Sequence, residues 1–405
     1  MDVRRAQNIE DLRQAARRRL PRIAWDYLEG GAEEEYTANV NRDVFGKIRF
    51  CPRTLVNVGG RSQQVTVFGK TFASPFGLAP TGAAGLYGFR ADTALARAAR
   101  AAGIPFVIST AAFEAMEDVA RDAAGATLWF QLYMSKDRDA ALALVNRARD
   151  AGYEALVVTT DVPVIGNREF NRRNGFEIPF RLSGRNMVDG LLHPRWLAGV
   201  FARTLAHSGV PRFLNTDSNV GGKVIAKSLL DFRSRRTELV WDDMRWLRSV
   251  WPGKLLIKGI LRADDALAAL ECGADGIFIS NHGGRQLDGA VSPIEVLPAI
   301  RAAVGRRLAV MVDGGFRRGA DIVKALALGA DMAFVGRAPL YGIAAGGEAG
   351  AARALELLRE EVDRVLALLG CPDVAGVGAD FLWCPELSFV PAPHVRPAVP
   401  QIQAV

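Results

Sequence analysis

Short apolar runs alternate with longer amphipathic stretches along most of this chain, from about residue 75 onward. The runs are too short for buried helices, and they lack the polar alternation of strands that have one face in water. We therefore interpret them as strands that are covered on both faces. Eight such runs occur, at 76–80, 106–109, 127–133, 155–161, 255–258, 276–280, 308–313 and 332–336.

Stretches with helical periodicity lie between these runs, and several close on a glycine, as helices commonly do. Examples are 92–102, 137–151, 263–272 and 320–329, with Gly103, Gly152, Gly273 and Gly329 at their ends. Eight strand-then-helix units predict an α/β fold of the (β/α)8 TIM-barrel type rather than an open sheet.

The remaining segments predict additions to the barrel. Residues 1–74 are expected to form a helical extension and a lid or hairpin, and the barrel itself is expected over 75–370. A long insertion between strand 4 and strand 5, about 170–250, has helical patterns of its own. After a helix near 350–369, residues 371–405 are expected to form a proline-bearing tail along the surface or a disordered one.

Composition narrows the class of protein. Apolar residues make up 49% and charged residues 23% of the 405 residues, which excludes a disordered chain, a collagen-like fibre and a coiled-coil rod. The net charge of +7 suits an anionic small substrate or an anionic membrane surface. It is too small an excess to argue for nucleic acid, which we do not expect as a partner.

The cysteines and the N-terminus bear on metals and on location. The four cysteines are scattered without a Cys-x-x-Cys pair, so we expect neither a metal site nor a disulfide framework. The charged N-terminus is unlike a secretory signal, and no apolar stretch approaches the ~20 residues of a membrane span. We therefore expect a cytoplasmic protein.

The ends of the seventh and eighth predicted strands indicate a phosphate site. Asp313 is followed by two glycines and then Arg317, and Gly336 is followed by Arg337. In TIM barrels this is the usual place for a phosphate, because glycine N–H groups and a helix N-terminus favour an anion there. No G-x-G-x-x-G motif follows an early strand, so a Rossmann NAD site is not supported.

A second cluster of candidate chemistry follows the sixth strand. His282 and Arg285 are three residues apart across two glycines, where His282 can take a proton and Arg285 can hold a carboxylate. Asp161 ends the fourth strand and could hydrogen-bond His282, which would fix its tautomer. Arg168 is a second candidate for binding a carboxylate, although a surface position is the simpler interpretation for it alone.

Three stretches carry a family resemblance: SNHGGRQLD at 280–288, DGGFRRG at 313–319 and KALALGA at 324–330. With them, the chain resembles the FMN-dependent L-2-hydroxy acid dehydrogenases and oxidases from about residue 8 to about residue 373. Further stretches resemble the (S)-mandelate dehydrogenase subgroup of this family. They lie at 26–33, 41–45, 80–82, 128–133 and 192–196.

The resemblance implies FMN as the cofactor and assigns roles to individual residues. His282 would be the active-site base with Asp161 as its partner, and Arg168 and Arg285 would hold the substrate carboxylate. The substrate carboxylate and hydroxyl would also be bound by Tyr27 and Tyr133. The flavin ring would be contacted by Pro80, Thr81, Gly82, Ser109, Gln131, Thr159 and Ser280, with Lys258 at its N1–O2 edge. The FMN phosphate would be bound by Gly315, Arg317, Gly336 and Arg337, with Asp313 on the ribityl chain.

Two small residues favour a large substrate. Glycolate oxidase-like members of the family carry a tryptophan where this chain has Ala111, and Gly82 is also small. Together they predict an open pocket beside the flavin that accepts an aryl ring. The alternative is that Phe113 or Met116 fills the space.

The insertion contains an apolar stripe at helical spacing, flanked by arginines. Over 181–235 the stripe consists of Trp196, Leu197, Val200, Phe201 and Leu205, with Arg195, Arg203 and Arg212 beside it. Such a stretch could lie in a membrane interface, or it could pack on the barrel or on a neighbouring subunit. The mandelate dehydrogenase subgroup is membrane-associated and passes electrons to quinone, and family members are often homotetramers.

We therefore expect an enzyme that oxidises an (S)-2-hydroxy acid, mandelate or another aryl or bulky acid, to the 2-keto acid. Electrons would pass from the flavin to a quinone or other acceptor, at the inner face of the cell membrane if the protein is peripheral. The alternative is an oxidase that uses O2 and releases hydrogen peroxide. The sequence leaves open which acid is used, and whether the proton leaves carbon or oxygen.

Overall fold

The computed structural model describes residues 2–134, 137–176, 183–216, 222–223 and 238–383. Three helices come first, then a short strand and a hairpin. They are α1 (Ile9–Arg19), α2 (Arg22–Glu29), α3 (Tyr36–Lys47), β1 (Arg49–Phe50), β2 (Val65–Val67) and β3 (Lys70–Phe72).

Eight parallel strands then form a closed barrel, which confirms the predicted fold. Each strand overlaps one of the predicted apolar runs, and nearly all strand residues are buried, as covered strands require. The strands are β4 (Phe76–Leu78), β5 (Phe106–Ser109), β6 (Leu128–Leu132), β7 (Ala155–Thr159), β10 (Lys254–Ile260), β11 (Gly276–Ile279), β12 (Ala309–Asp313) and β13 (Met332–Val335).

Helices follow the strands and cover the barrel. The last of them starts directly after β13 at Arg337, earlier than the expected start near residue 350. The helices are α4 (Ala91–Ala102), α5 (Met116–Asp122), α6 (Arg138–Asp150), α11 (Trp241–Val250), α12 (Ala263–Glu271), α13 (Pro293–Val304), α14 (Gly319–Ala327) and α15 (Arg337–Leu369). After α15, β14 (Leu382–Trp383) pairs with β1, and residues 384–405 of the predicted tail lie outside the described residues.

The β2–β3 hairpin closes the amino ends of the barrel strands. Val67 and Phe72 join the apolar cluster inside the barrel, and the Phe68 ring lies 6.0 Å from the Trp129 ring. Of the two expected forms, lid or hairpin, this segment is a hairpin at the bottom of the barrel. The carboxyl ends of the strands are thus the open end.

Helices α2 and α3 reach over that open end. The Ala32 N–H donates to the Gly284 carbonyl at 2.9 Å. Gly284 has φ +74°, and a Cβ on it would lie 2.4 Å from the Ala38 nitrogen, so only glycine allows α3 to pass this close. The N-terminal extension therefore builds part of the same end of the barrel as the strand ends.

The described parts of the insertion are short helices and two short strands, and the part around Trp196 packs on the β4–α4 loop. They are α7 (Glu169–Arg173), α8 (Gly184–Leu191), α9 (Pro194–Trp196), a π-helical turn (Leu197–Ala202), α10 (Arg203–Ser208), β8 (Arg212–Phe213) and β9 (Gly222–Lys223). The Trp196 indole N–H donates to the Leu86 carbonyl at 2.7 Å. Of the predicted apolar stripe, Val200 is buried whereas Phe201 and Leu205 are exposed. The stripe thus divides between packing on the protein and exposure to solvent.

Candidate active site

A cavity of about 720 Å³ opens at the carboxyl ends of the barrel strands, and every strand contributes to it. It brings together all but three of the site residues predicted from sequence. Those that line it are Tyr27, Pro80, Thr81, Gly82, Ala111, Gln131, Tyr133, Thr159, Arg168, Lys258, His282, Arg285, Asp313, Gly315, Arg317, Gly336 and Arg337. The other three do not line the cavity, but each hydrogen-bonds a residue that does: Ser109 bonds Gln131, Ser280 bonds Lys258 and Asp161 bonds His282.

His282 and Asp161 form a buried pair. His282 Nδ1 lies 2.9 Å from Asp161 Oδ1, and because a carboxylate only accepts, Nδ1 donates and Nε2 keeps its lone pair in the neutral ring. Burial lowers the pKa of His282 below its ordinary value, and Asp161 only partly opposes this. His282 is therefore neutral at pH 7, with Nε2 available to accept a proton. Nε2 lies 3.4 Å from the Tyr133 hydroxyl at the cavity.

The backbone at His282 is left-handed, with φ +59°. The Ser280 hydroxyl accepts a hydrogen bond from the His282 N–H at 3.1 Å, which supports this uncommon conformation. Ser280 also accepts from the Lys258 ammonium at 2.6 Å. One buried hydroxyl thus holds two of the predicted site residues in place.

Lys258 is a buried cation at the strand ends, only 4% exposed. Its ammonium lies 3.0 Å from Asp313 Oδ2. Burial alone would lower the pKa of Lys258, but Asp313 and Asp161 hold it above its ordinary value. Lys258 therefore keeps its charge inside the cavity.

Two arginines meet at the mouth of the cavity. The Arg168 Nε donates to the Arg285 carbonyl at 3.2 Å, and the Arg285 guanidinium lies 5.1 Å over the Tyr27 ring. Arg285 is fixed to α2 through a 2.5 Å bond to the Gly30 carbonyl. Arg168, Arg285 and Tyr27 all line the cavity, so two guanidinium groups and a phenol are available in the same space as His282.

Arg317 and Arg337 form a second cationic region at the N-terminus of α15, which begins at Arg337. Burial, together with repulsion from Arg285 and Arg317, lowers the pKa of Arg337 to about 10. Arg337 donates to three carbonyls at 3.1 Å, those of Leu28, Gly30 and Gly283, which leaves two of its five N–H groups. Within the described residues no carboxylate pairs directly with Arg285, Arg317 or Arg337, so a bound anion would relieve their repulsion.

These residues fit the three parts of FMN. The guanidinium region, with Gly315 and Gly336, suits the phosphate. Two buried polar atoms, Gln131 Nε2 and Asp313 Oδ1, have no hydrogen-bond partner in the described part of the chain. An amide N–H suits a flavin ring acceptor and a carboxylate oxygen suits a ribityl hydroxyl. In the same described part, no cluster of histidine, cysteine and carboxylate side chains could hold a metal ion.

The cavity lining also contains two residues that the sequence did not indicate. Phe113 and Met116, which were the alternative fillers, do not line the cavity, whereas Phe213 and Phe176 do. Phe176 stacks on Tyr27 with ring centroids 4.2 Å apart. Both phenylalanines lie in the insertion after β7, the fourth barrel strand. In such a segment no strand end indicates which residues face the cavity.

Comparison with known proteins gives a consistent result. A family model described as FMN-dependent dehydrogenase matches residues 16–384. The chain is 48% identical to the (S)-mandelate dehydrogenase of Pseudomonas putida, over 93% of each chain. It is 42% identical to an L-lactate dehydrogenase of Caulobacter vibrioides (strain NA1000 / CB15N), over 92% of this chain and 96% of that one.

Solved structures agree with the sequence relatives. The crystal structure of a monotopic membrane protein, (S)-mandelate dehydrogenase, superposes with a TM-score of 0.88 at 46% identity, over 94% of this chain and 100% of that one. A mandelate oxidase in complex with (S)-2-phenylpropionate gives a TM-score of 0.77 at 36% identity, over 93% of this chain and 98% of that one.

Proposed function

Because the chain belongs to the family of FMN-dependent 2-hydroxy acid dehydrogenases, we propose that its substrate is an (S)-2-hydroxy acid with an aryl side chain, mandelate first. The observation that carries this choice is the pair Gly82 and Ala111, which leaves room in the cavity wall. Both residues line the cavity, and a Cβ on Gly82 would lie 3.0 Å from the Ala111 Cβ, so they are neighbours in its wall and a larger side chain at either position would project into it. The 48% identical relative, named a mandelate dehydrogenase, supports the same substrate.

The arginines at the mouth would bind and orient the acid. Arg168 and Arg285 offer guanidinium groups that can each hold a carboxylate by parallel hydrogen bonds. Tyr27 and Tyr133 would bind the remaining oxygens. With the carboxylate held there, the substrate hydroxyl and its carbon would lie near His282 Nε2, which is 3.4 Å from the Tyr133 hydroxyl.

His282 would take the proton in the oxidation. FMN, when bound, supplies the acceptor for the two electrons. Neutral His282 accepts the proton at Nε2, and the imidazolium that results is stabilised by Asp161 at 2.9 Å. The charge of Lys258 also lines the cavity, where it would favour negative charge that develops during the reaction.

We also propose a peripheral membrane protein that passes electrons to a quinone or another acceptor. The support is a group of exposed apolar side chains on the insertion, here called its apolar surface: Met187, Val188, Leu191, Leu192, Phe201 and Leu205. Arg185, Arg195 and Arg203 lie beside it in the chain and are exposed, which suits an anionic lipid surface. No helix in the described ranges is long and apolar enough to cross a bilayer. A homotetramer remains the proposed assembly, by resemblance to the family.

Anaerobic reduction of the holoenzyme tests the proposed function. We expect (S)-mandelate to bleach the oxidised flavin band near 450 nm rapidly, and air to restore it slowly. Rapid reoxidation by air would instead indicate the oxidase alternative. Bleaching by L-lactate or glycolate but not by mandelate would contradict the role given to Gly82 and Ala111.

A further inference from the structure

We propose that Phe213 sets the upper size limit of the substrate side chain, and that Asn215 holds Phe213 in position. Both residues belong to the insertion. The inference rests on the proposed function, because it names what limits the substrate class of that site.

Phe213 forms a wall of the cavity. Its side chain is 6% exposed and lines the cavity together with Thr216. Its ring packs against Phe113 at 5.2 Å between centroids and belongs to one apolar cluster with Ala83. Ala111 packs against the same cluster, so Phe213 borders the space that Gly82 and Ala111 leave open.

Asn215 anchors this part of the insertion to the barrel. Its side chain is completely buried. The Oδ1 atom accepts from the Met116 N–H and the Nδ2 group donates to the Glu114 carbonyl, each at 2.9 Å. The Arg147 guanidinium donates to the Leu214 carbonyl at 3.2 Å. The backbone on the C-terminal side of Phe213 is therefore tied to the loop before α5 and to α6.

The pocket would therefore admit a large substrate side chain beside Gly82 and Ala111 and limit its length at Phe213. Gly82 and Ala111 admit a ring that larger residues would exclude. Phe213 then stops a side chain that extends beyond one ring, because its anchored backbone cannot withdraw without breaking the bonds of Asn215. We therefore expect phenyl to be accepted and a fused bicyclic group to be rejected by the wild type.

Substrate size tests this directly. Wild type, Phe213→Ala and Phe213→Trp holoenzymes are assayed for kcat/KM with L-lactate, (S)-mandelate and (S)-2-hydroxy-2-(2-naphthyl)acetate. We expect Phe213→Ala to raise the naphthyl-to-mandelate ratio about tenfold or more, and Phe213→Trp to lower the mandelate-to-lactate ratio about tenfold. Val210→Ala, a truncation three residues away outside the cavity lining, should leave both ratios within twofold.

Asn215 is tested by the same ratios, which a purely structural role would not shift. We expect Asn215→Ala to raise the naphthyl-to-mandelate ratio in the direction of Phe213→Ala. Asn215→Asp keeps the acceptor for the Met116 N–H and should restore part of the wild-type ratio. An equal loss with all three acids would overturn the role of Asn215.

Other outcomes separate this inference from the proposed function. Ratios that stay within twofold in both Phe213 variants would overturn it while the wild type still oxidises mandelate. If Phe213→Ala does not fold, the Phe213→Trp ratio alone decides. A wild type whose flavin none of the three acids reduces would overturn the proposed function, and this inference with it.

Discussion

His282 combines a left-handed backbone with a buried, neutral ring. A non-glycine residue at φ +59° costs about 1–3 kcal/mol when its surroundings impose it. Here the Ser280 hydroxyl accepts the His282 N–H and the Asp161 carboxylate accepts from the ring, so both halves of the residue are fixed. The result is a base whose Nε2 faces the cavity in a single orientation.

The carboxylate of Asp161 has two effects on His282: it raises the pKa of the ring and it stabilises the imidazolium. The variant Asp161→Asn should separate them. Since burial places the pKa of His282 below 6.5, we expect wild-type kcat/KM to fall only below that pH, where the ring becomes protonated. Asp161 raises this pKa, so its replacement by Asn should move the acid limb to still lower pH. Loss of the charge that stabilises the imidazolium should also lower kcat by about 10²–10⁴-fold.

The measurement is the pH profile of kcat/KM for both proteins, with FMN content determined for each. An acid limb at the same pH in Asp161→Asn would mean that a group other than His282 titrates there. A loss of FMN would show that Asp161 supports the cofactor rather than the base.

Most of the cavity residues discussed at this scale could be predicted from the sequence. The SNHGGRQLD stretch and the strand-end positions located His282, Asp161 and both arginines, because a barrel brings all strand ends to one face. Phe213 and Phe176 could not be found in this way. Their positions depend on how the insertion folds back, and an apolar side chain in a variable segment carries no sign of what it faces.

At the scale of elements, α3 is joined to the loop after β11, which carries His282, by a pair of buried amides. Asn41 Nδ2 donates to Asn281 Oδ1 and Asn281 Nδ2 donates to Asn41 Oδ1, both at 2.8 Å. Asn281 directly precedes His282. A Cβ on the nearby Gly315 would lie 1.8 Å from the Asn41 carbonyl oxygen, so α3 also passes directly over the proposed phosphate loop.

Replacing either amide should destabilise the fold by leaving its partner unsatisfied. We expect Asn41→Ala and Asn281→Ala each to cost about 1–3 kcal/mol of unfolding free energy. The double variant should cost less than the sum, with a coupling of about 0.5–3 kcal/mol. Urea unfolding of the four holoenzymes measures the cycle, and strictly additive losses would show that the amide pair contributes nothing as a pair.

Helix α15 folds back on itself through close glycine contacts. Its backbone leaves helical geometry at Gly346 and Gly347, and a Cβ on Gly350 would lie 2.0 Å from the Gly342 carbonyl oxygen. The same glycines interrupt the helical pattern in the sequence, which is why the predicted helix began near 350 instead of 337.

Gly350→Ala should therefore destabilise the protein, and a helical glycine in open space gives the matched control. We expect a loss of about 1–3 kcal/mol or more for Gly350→Ala, because neither backbone can yield. Gly46→Ala lies at an exposed position of helix α3 with nothing within 4 Å of the new Cβ, and it should gain up to about 0.5–1 kcal/mol. Thermal unfolding measures the stability of both variants. If Gly350→Ala and Gly46→Ala changed the stability equally, the close approach of the two halves of α15 would be contradicted.

At the scale of the whole molecule, apolar surface and charge meet on the insertion. Leu191 is 67% and Leu192 is 73% exposed, at the C-terminal end of α8. The sequence stripe pointed to this region but omitted α8 and included Val200, which is buried. Periodicity shows that a helix has an apolar face, but it does not show whether protein or another phase covers that face.

If this surface contacts lipid, polar substitutions there should release the protein from membranes without affecting the flavin. Burying one leucine side chain is worth about 1.5–3 kcal/mol, so the double change Leu191→Ser, Leu192→Ser should weaken binding to phosphatidylglycerol-containing vesicles at least tenfold. Reduction of the flavin by the 2-hydroxy acid should stay unchanged, because neither leucine lines the cavity. Leu55→Ser removes a leucine of the N-terminal extension that is even more exposed, at 105%, and it should bind vesicles as the wild type does. Vesicle co-sedimentation at low and high salt measures this: salt should weaken the contribution of the arginines but leave that of the leucines. If the double variant binds vesicles as strongly as Leu55→Ser does, the leucines do not contact lipid. That result would instead favour a neighbouring protein subunit covering this surface.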